Sequence, residues 1–492
     1  KDTTEYKIKV KVLDSYGRYS TEFVKAISTE TYILPSITNV TPTTKYNQIS
    51  VSVVGANGTN NISKYYYSIN DGAYTESTNS SYIFTGLNEK TNYSIKVKVV
   101  DTLGRESNVY SLSATTDAYV LPSITNVSTS STSSSITINV SASGGTGSVV
   151  KYYYSKDNGS NYIESLSSSY TFSNLTSDAT FYVKVYVKDS NNRESSVSAT
   201  SIRTKLPTIK DVCSSGTNLA SCIKTYSNKG SSITKIYHHD GSLENGINDN
   251  SYRYAGASDQ VNNYVCFGST TTPCPADNLY RIIGVFDTQV GENQTEQRVK
   301  LIKSTSVGNK ARNSNGKNTW STSSLNTYLN NDFLNTFDVG TKGKIADTTW
   351  KVGGNTGANI YSQPAKTAYQ NEIVNPVTTN TTDGKTEYSA KIGLMYASDY
   401  GFAAAPSAWT SSLYYYNREA IKSANWMFLG ADEWTISRYA DRSYNAFLVD
   451  DTGKVLYGDA SNAYGVRPVF SLTSFVNYVS GSGSASDPMV IN

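Results

Sequence analysis

The stretch YSIKVKVVDTLGRES, from Tyr93 to Ser107, decides the fold of the first part of the chain. Its first half alternates with a period of two, so that Tyr93, Ile95 and Val97 share one face and the intervening lysines occupy the other. The Leu-Gly-Arg that follows is a turn signal. An alternating run closed by a turn predicts a half-buried β-strand.

This stretch occurs three times in the chain. It reads YKIKVKVLDSYGRYS from Tyr6 and FYVKVYVKDSNNRES from Phe181, at spacings of 87 and 88 residues from the central copy. Two other blocks share the period, because LPSITNV begins at Leu34 and Leu121, and KYYYS begins at Lys64 and again 87 residues later. Self-similarity at a fixed period indicates tandem copies of one domain.

Each period holds roughly seven short strand-like runs, which is typical of an Ig-like or fibronectin-III-like β-sandwich. The repeat resembles the fibronectin-like repeats of bacterial surface proteins, which also carry a Tyr two residues before an IKVKV-type run. We predict one such domain at residues 34–120 and another at 121–206. Residues 1–33 would then be the C-terminal part of a truncated repeat. The short Pro-containing links between copies predict a semi-rigid stalk.

The charge distribution argues against two classes of partner. The chain has 43 basic and 40 acidic residues, a net charge of +3, and no basic run. This pattern disfavours nucleic-acid binding and attachment to an anionic lipid surface. No apolar run approaches the ~20 residues of a membrane span. We therefore expect any membrane or surface anchor to lie in a missing N-terminal region.

The four cysteines form two close pairs, Cys213 with Cys222 and Cys266 with Cys274. Zinc binding is disfavoured, because no CxxC spacing is present and the two histidines are adjacent. We expect two disulfides formed in an oxidising, extracellular compartment. Nearest-neighbour pairing is the simplest of the three pairings that four cysteines allow, and four buried thiols are the alternative.

The repeat ends at Pro207, and residues 207–492 are predicted to form one larger domain that contains every tryptophan and methionine of the chain. Strands and helices follow one another there without βαβ order, which predicts an α+β fold. The predicted elements are strands at Leu279–Asp287, Gln297–Thr305, KIGLMYASDYG, NWMFLG, EWTISR, AFLVDD, GKVLYG and GVRPVFSL, and helices within Trp320–Phe337 and near Val339–Trp350.

An ordered set of motifs in this domain resembles a family of bacterial surface domains related to C-type lectins. The motifs are NLYRIIGVF, VKLIKS, WSTSSLNTYLN, KIGLMYASDYG, EWTISR and GVRPVFSL, and the resemblance covers nearly all of residues 235–492. Broader relatives of the family are formylglycine-generating-enzyme-like domains and the variable proteins of diversity-generating retroelements. The resemblance implies a C-type-lectin-like scaffold that binds ligands through exposed residues near its C-terminus.

The segment between EWTISR and GVRPVF supports a binding role. It is rich in Tyr, Asp, Asn and Arg, the residue types that dominate paratopes and binding hot spots. The alternative is a polar hairpin pair with a turn at Asp451-Thr452-Gly453 that needs no ligand. The predicted ligand-binding residues, which could also form a diversified face, are Tyr439, Asp441, Arg442, Tyr444, Asn445, Asp450, Asp451, Lys454, Asp459 and Asn462.

No residue set in the sequence predicts catalysis. His238 and His239 are adjacent, so on a strand their side chains point to opposite faces and at most one could serve a given site. A hydrolase of surface polysaccharide would need two carboxylates in one cleft, and Asp432 with Glu433 is the only candidate pair. We therefore expect a protein that is not an enzyme.

The sequence as a whole predicts an extracellular adhesin or receptor-binding protein of a bacterial cell surface. Its repeats would act as a stalk, and its C-terminal domain would bind a protein or glycan ligand on another cell or surface. No cofactor is expected, although Asp450, Asp451 and Asp487 carry oxygens of the kind that calcium binds. The alternative is a structural subunit of a surface filament or layer that self-assembles through the C-terminal domain.

Overall fold

A computed structural model describes residues 3–356, 362–376 and 385–492 of the chain. The chain divides into two compact units. The first comprises Lys1–Ser130, Thr137–Phe172 and Phe181–Ile202, and the second comprises Ser131–Ile136, Ser173–Thr180 and Arg203–Asn492. Within the described ranges, no helix has the length and apolar character needed to cross a membrane.

The first complete repeat is a sandwich of two antiparallel sheets. In spatial order, one sheet contains Ser36–Lys45, Gln48–Ala56 and Ser81–Thr85, and the other contains Thr75–Ser77, Ile62–Ile69, Asn92–Asp101 and Tyr110–Thr115. Ile95 and Val97 are fully buried between the sheets, as the alternation of the sequence predicts, and Tyr67 is fully buried with them.

The second repeat has the same arrangement of strands. Its sheets contain Ser123–Ser131, Ile136–Ser143 and Ser169–Phe172, and Ile163–Ser165, Val149–Ser155, Thr180–Asp189 and Ser198–Arg203. Ahead of the two sandwiches, Glu5–Val10 pairs with Phe23–Ser28 as an antiparallel hairpin. The prediction of tandem fibronectin-III-like β-domains is confirmed.

A tyrosine from the preceding linker is docked on each sandwich, and we call this set of contacts the tyrosine latch. At the second sandwich the Tyr119 hydroxyl donates a hydrogen bond to the Asp189 carboxylate and accepts one from the Asn191 amide at 3.0 Å. The Arg193 guanidinium lies 4.8 Å from the centre of the Tyr119 ring. The Tyr46 ring packs edge-on against the same ring at 4.8 Å.

The latch is repeated one period earlier. There the Tyr32 hydroxyl donates to the Asp101 carboxylate, and the Arg105 guanidinium lies 3.5 Å from the Tyr32 ring centre. The aspartate and arginine of both latches belong to the turn that ends the repeated stretch quoted above. That stretch therefore supplies both a core strand and a docking point for the linker.

The second unit is built around two larger sheets. The first contains, in spatial order, Ile392–Gly393, Val469–Ser471, Gln294–Lys303, Leu279–Gly291, Tyr264–Cys266, Met489–Ile491 and Tyr478–Ser480. Tyr252–Tyr254 also pairs with Leu279–Gly291, and Ile236–His238 pairs with Tyr252–Tyr254. The second contains Asn309–Ala311, Ala463–Gly465, Glu433–Arg438, Asn445–Val449 and Val455–Asp459. A separate hairpin pairs Thr348–Lys351 with Glu387–Ala390.

Short helices connect these strands. The α-helices among the described residues are Leu219–Ser227, Ser231–Thr234, Ser324–Thr327, Val339–Gly343, Ala365–Tyr369, Ala397–Ala403 and Glu419–Lys422. Segments of π-helix lie at Tyr328–Phe333 and Gln370–Val374. Segments of 3-10 helix lie at Ile209–Asp211, Ala276–Asn278, Leu334–Thr336, Pro406–Ala408 and Leu413–Asn417. All five tryptophans are buried in one core. The second unit thus combines helices and strands, as predicted.

Both disulfides join nearest neighbours, Cys213 to Cys222 and Cys266 to Cys274. No cysteine of the chain is left as a free thiol among the described residues, which include all four. The simplest predicted pairing is confirmed, and the alternative of four buried thiols is wrong.

Two predicted strands are wrong. In KIGLMYASDYG only Ile392–Gly393 is a strand, and Ala397–Ala403 is a helix because the Asp399 carboxylate accepts the Tyr396 backbone N–H at its start. NWMFLG contains no strand, because the Asn425 side chain accepts the Met427 backbone N–H at 3.0 Å and closes a turn. The pairing of Leu279–Gly291 with Gln294–Lys303 is confirmed.

Both predicted helices exist, and only the second is much shorter than expected. The first begins at the predicted group of serines, where the Ser323 side chain caps Ser324–Thr327, and its helical turns continue through Tyr328–Phe333 and Leu334–Thr336. The second spans only Val339–Gly343, and Thr348–Lys351, which includes Trp350, is a strand of the separate hairpin.

Candidate functional site

The ten predicted ligand-binding residues lie on or beside one hairpin, which we call the recognition hairpin. It pairs Asn445–Val449 with Val455–Asp459 in antiparallel register, with Asn445 opposite Asp459 and Val449 opposite Val455. A strand rises about 3.3 Å per residue, so the two ends of the hairpin lie roughly 13 Å apart. The structure therefore does not bring the ten residues into one patch but divides them between a loop end and a turn end.

At the loop end, Tyr439 and Asn445 are buried. Tyr439 is 8% exposed, and its ring stacks on Phe447 at 5.5 Å and meets Tyr457 edge-on at 5.2 Å. Asn445 is 5% exposed. A ligand at the surface would meet little of either side chain, so this geometry assigns them to packing beneath the loop rather than to direct contact.

Three other predicted residues of the loop end, Asp441, Arg442 and Tyr444, are exposed to solvent. The Arg442 guanidinium lies 5.3 Å from the Tyr439 ring centre and 5.6 Å from that of Tyr457. Such contacts with aromatic faces favour one position of the arginine side chain. The loop thus presents a carboxylate, a guanidinium and a phenol close together in sequence.

The buried side chain of Asn318 hydrogen-bonds to the backbone of this loop. Its side-chain amide nitrogen lies 2.9 Å from the carbonyl oxygen of Tyr439 and 2.7 Å from those of Arg442 and Asn445. Its own backbone N–H donates to the Ser443 carbonyl at 2.8 Å. One side chain therefore fixes the whole turn that carries the exposed residues.

A second segment holds the start of the loop. The Asn355 backbone N–H donates to the Arg438 carbonyl at 2.8 Å, and the Ala440 N–H donates to the Asn355 carbonyl at 2.7 Å. Gly354 precedes this contact with φ +93°, and a Cβ there would lie 2.4 Å from the Arg438 carbonyl oxygen. Only glycine permits that close approach, so the loop is fixed on both sides.

Asp459 and Asn462 lie beside the loop, in the turn that follows the hairpin. The Asp459 carboxylate accepts the Ser461 backbone N–H at 2.9 Å and its hydroxyl at 2.7 Å, and these hydrogen bonds lower the pKa of Asp459. The Asn462 amide donates to the Tyr464 hydroxyl at 3.2 Å. Asp459 thus shapes a turn, whereas Asn462 is exposed.

At the turn end, Asp450 stabilises the hairpin turn itself. Its carboxylate accepts the backbone N–H groups of Thr452 at 3.0 Å and Lys454 at 2.8 Å, and the Thr452 hydroxyl at 2.7 Å. This role agrees with the alternative hypothesis of the sequence analysis, a polar hairpin with a turn at Asp451-Thr452-Gly453. Asp451 is exposed, and its backbone N–H donates to the Asp432 carboxylate at 2.9 Å.

Two aromatic residues that the sequence analysis did not select extend the turn end. The Lys454 ammonium lies 5.1 Å from the Tyr414 ring centre, and Tyr415 meets Tyr414 edge-on at 5.7 Å. The Arg418 guanidinium lies 4.3 Å from the Tyr415 ring. The signal for this cluster was the tyrosine triplet at residues 414–416, whose first two members are exposed and whose last member is buried.

The candidate carboxylate pair of a hydrolase does not form a cleft. Glu433 is buried, and both of its oxygens accept hydrogen bonds from Arg467, at 2.6 and 2.8 Å. Burial raises the pKa of Glu433 although Arg467 opposes that shift. Asp432 instead accepts the hydrogen bond from Asp451 described above.

The two histidines face different surroundings. His238 stacks on Tyr252 with ring centres 4.0 Å apart, and His239 is fully buried beside Phe402 and Trp409. Burial lowers the pKa of His239 to about 3, so this ring stays neutral near pH 7.

The described part of the chain contains no group of three or more His, Cys, Asp or Glu side chains placed to hold a metal ion. Asp450 caps a turn as described, and the Asp487 carboxylate accepts the Ser482 backbone N–H at 2.9 Å. Two of the three candidate calcium ligands, Asp450 and Asp487, are therefore engaged in local turns.

Comparisons with known proteins find similarity to parts of the chain. Residues 296–474 match the model of a family described as a domain of unknown function, DUF6273. No curated protein matches the chain.

Solved structures of animal fibronectin arrays are similar to part of the chain. The FN1–FN3 domains of chicken CNTN1 are 16% identical, with 42% of this chain and 78% of that chain covered and a TM-score of 0.18. A two-domain fibronectin type-III segment of chicken tenascin is 16% identical, with 34% and 99% covered and a TM-score of 0.18.

Proposed function

We propose that the protein is an extracellular recognition protein of a bacterial cell surface. Its tandem repeats act as a stalk, and its second unit is a C-type-lectin-like domain that binds a protein or glycan on another cell or surface. The observation that carries this proposal is the loop end of the recognition hairpin, where Asp441, Arg442 and Tyr444 are exposed on a backbone fixed by Asn318 and Asn355.

A fixed backbone favours binding because little order has to be imposed when the ligand arrives. Each side chain that becomes immobile on binding costs about 0.5–1.5 kcal/mol, and a loop ordered in advance avoids the further cost of ordering its backbone. The exposed tyrosine and arginine are residue types enriched in binding hot spots. Asp441 adds a charge of opposite sign, which favours a ligand with both donors and acceptors.

The two disulfides support an extracellular location, because disulfides persist in oxidising compartments and are rare in reducing ones. A binding role without catalysis is supported by the state of the side chains that were candidates for catalysis. Glu433 is occupied by Arg467, and His239 is buried and neutral, so neither is poised as a general acid or base.

The test uses the full chain with Asp441→Ala, Arg442→Ala and Tyr444→Ala combined. We expect the labelled wild-type chain to bind at least one ligand on a glycan array or one cell type in a flow-cytometry panel, and the triple variant to lose at least ~10-fold in affinity, which corresponds to ~1.4 kcal/mol. Protease treatment of the cells separates protein ligands from glycans.

A matched control replaces an exposed acid, cation and aromatic ring elsewhere in the same unit, as Glu419→Ala, Lys229→Ala and Phe475→Ala. The control variant should bind like the wild type, and both triple variants should keep the wild-type melting temperature. Undiminished binding by the loop variant would contradict the proposal. Concentration-dependent polymerisation in light scattering, without capture of any cell or glycan, would favour the filament alternative instead.

A further inference from the structure

A cleft of about 670 Å³ opens in the second unit at residues other than those of the recognition hairpin. One wall is the hairpin of Leu279–Gly291 with Gln294–Lys303, and the other is the hairpin of Thr348–Lys351 with Glu387–Ala390. The volume lies within the ~300–1,000 Å³ of small-ligand sites. None of the ten residues selected from the sequence lines it.

The base of the cleft is a network of two cations and two carboxylates. The Lys300 ammonium lies 3.1 and 3.3 Å from the two oxygens of Asp399. The Arg253 guanidinium donates to Asp399 at 3.2 Å and to Asp249 at 2.9 Å. Burial would raise the pKa of Asp249, but the charge of Arg253 lowers it to about 2. Asp249 is therefore ionised near pH 7.

Aromatic rings hold these cations in place. The Phe286 ring centre lies 4.4 Å from the Lys300 ammonium and 4.6 Å from the Arg253 guanidinium. Tyr396 lies 5.3 Å from Lys300, and Tyr369 lies 5.6 Å from Arg253. The cleft thus has a base of fixed donors and acceptors, and Phe286 and Tyr369 are only partly buried beside it.

The lining of the cleft as a whole is polar and balanced in charge. It includes four carboxylates, four cations and five serine or threonine hydroxyls, while Val290 and Ile373 are its aliphatic members. Sites for apolar ligands are lined mainly by hydrophobic side chains, so a lipid does not suit this lining. A phosphate or other strong anion does not suit it either, because the carboxylates match the cations in number.

A neutral molecule rich in hydroxyl groups matches this lining. A hydroxyl donates one hydrogen bond and accepts others, so it can bridge a carboxylate and a neighbouring ammonium or guanidinium group. Hydrogen bonds to charged partners are the stronger ones, and the apolar face of a sugar ring can pack on an aromatic side chain. We propose that this cleft binds a short neutral oligosaccharide, at a site separate from the loop end of the recognition hairpin.

The test uses the full chain and five neutral probes: maltotriose, cellotriose, xylotriose, mannotriose and the trimer of N-acetylglucosamine. We expect saturation-transfer NMR and calorimetry to show that at least one binds with a Kd of ~1 mM or tighter. Ser389 is exposed on the cleft wall, so Ser389→Trp should fill part of the cleft and weaken binding at least ~10-fold. Ser221 is exposed outside the cleft, and Ser221→Trp should leave binding unchanged.

Two results would overturn the cleft proposal: failure of all five probes to bind, or equal affinity of the wild type and a folded Ser389→Trp variant. Tighter binding of a charged trimer, such as trigalacturonate, would overturn the assignment to neutral sugars. The loop variant Asp441→Ala/Arg442→Ala/Tyr444→Ala should bind the trisaccharide like the wild type. Failure of the cleft proposal is therefore distinguishable from failure of the proposed function, which is read from the loop variant on cells and glycan arrays.

Discussion

At the scale of single residues, Glu372 shows how strongly burial can change an ordinary side chain. It is 1% exposed, and one of its oxygens accepts the Ser398 backbone N–H at 3.2 Å. Burial raises its pKa to about 7, and hydrogen bonding by Ser437 and Ser398 opposes that shift only in part. The folded second unit therefore favours the protonated, neutral form of this acid.

We predict that Glu372 makes the second unit less stable as the pH rises from about 4.5 to above 7. An acid with a raised pKa in the folded state contributes its stability below the unfolded pKa, and this contribution is lost as the pH passes the folded pKa. The loss amounts to about 3 kcal/mol. Glu372→Gln keeps the neutral shape, so the variant should unfold like the wild type at pH 4 and require more urea at pH 8.

Tryptophan fluorescence during urea unfolding measures this prediction, because all five tryptophans lie in the second unit. Glu419→Gln, at an exposed acid, is the control and should shift the midpoint little at either pH. A stability difference between Glu372→Gln and wild type that is the same at pH 4 and pH 8 would show that the charge of Glu372 is not responsible.

Residue roles in the recognition hairpin could be predicted only in part. Composition selected the segment, but it could not separate exposed Arg442 and Tyr444 from buried Tyr439. That distinction depends on Asn318, which lies more than a hundred residues earlier and holds the loop through three carbonyl groups. A contact between such distant positions leaves no local pattern in one sequence.

At the scale of elements, the repeats were predictable because their central strands are buried on one face. The alternation of Ile95 and Val97 with lysines identifies the strand directly. The helix Ala397–Ala403 was missed for the opposite reason. All seven of its residues are buried, so it has no polar face and no helical period in its sequence.

The tyrosine latch supplies a prediction at this scale. Tyr119→Phe removes the hydroxyl that donates to the buried Asp189 carboxylate, so we expect a loss of about 1–2 kcal/mol in the unfolding free energy of the first unit. Tyr119→Ala also removes the ring packed between Tyr46 and Arg193, and should cost about 3 kcal/mol or more.

Hydrogen exchange measures the effect locally, at the backbone amides of Asn191 and Arg193, which donate to the Asp189 carboxylate at 2.9 and 3.0 Å. Both amides should exchange faster in the Tyr119 variants. Tyr182→Phe is the matched control in the same repeat, since Tyr182 is 60% exposed. Equal exchange in Tyr119→Phe and Tyr182→Phe would mean that the latch hydroxyl does not stabilise the turn.

At the scale of the whole molecule, covalent reinforcement is confined to the second unit. Both disulfides and all five tryptophans belong to it, whereas the first unit contains neither cysteine nor tryptophan. The repeats instead rest on sandwich cores such as that around Tyr67, Ile95 and Val97. The two units therefore depend on different sources of stability, and a reducing agent should act on one of them.

We predict that reduction destabilises the second unit and leaves the first unit unchanged. The disulfides close loops with sequence separations of 9 and 8 residues, and on the chain-entropy model loops of this length contribute about 2–3 kcal/mol each. In reductant, the urea midpoint read by tryptophan fluorescence should fall, while hydrogen exchange at Val97 and Val185 should stay as in the oxidised protein.

The double variant Cys266→Ser/Cys274→Ser should reproduce part of this fall without reductant, because it removes one disulfide and keeps the other. An unchanged fluorescence midpoint in reductant would show that the cores, and not the cross-links, determine stability in both units.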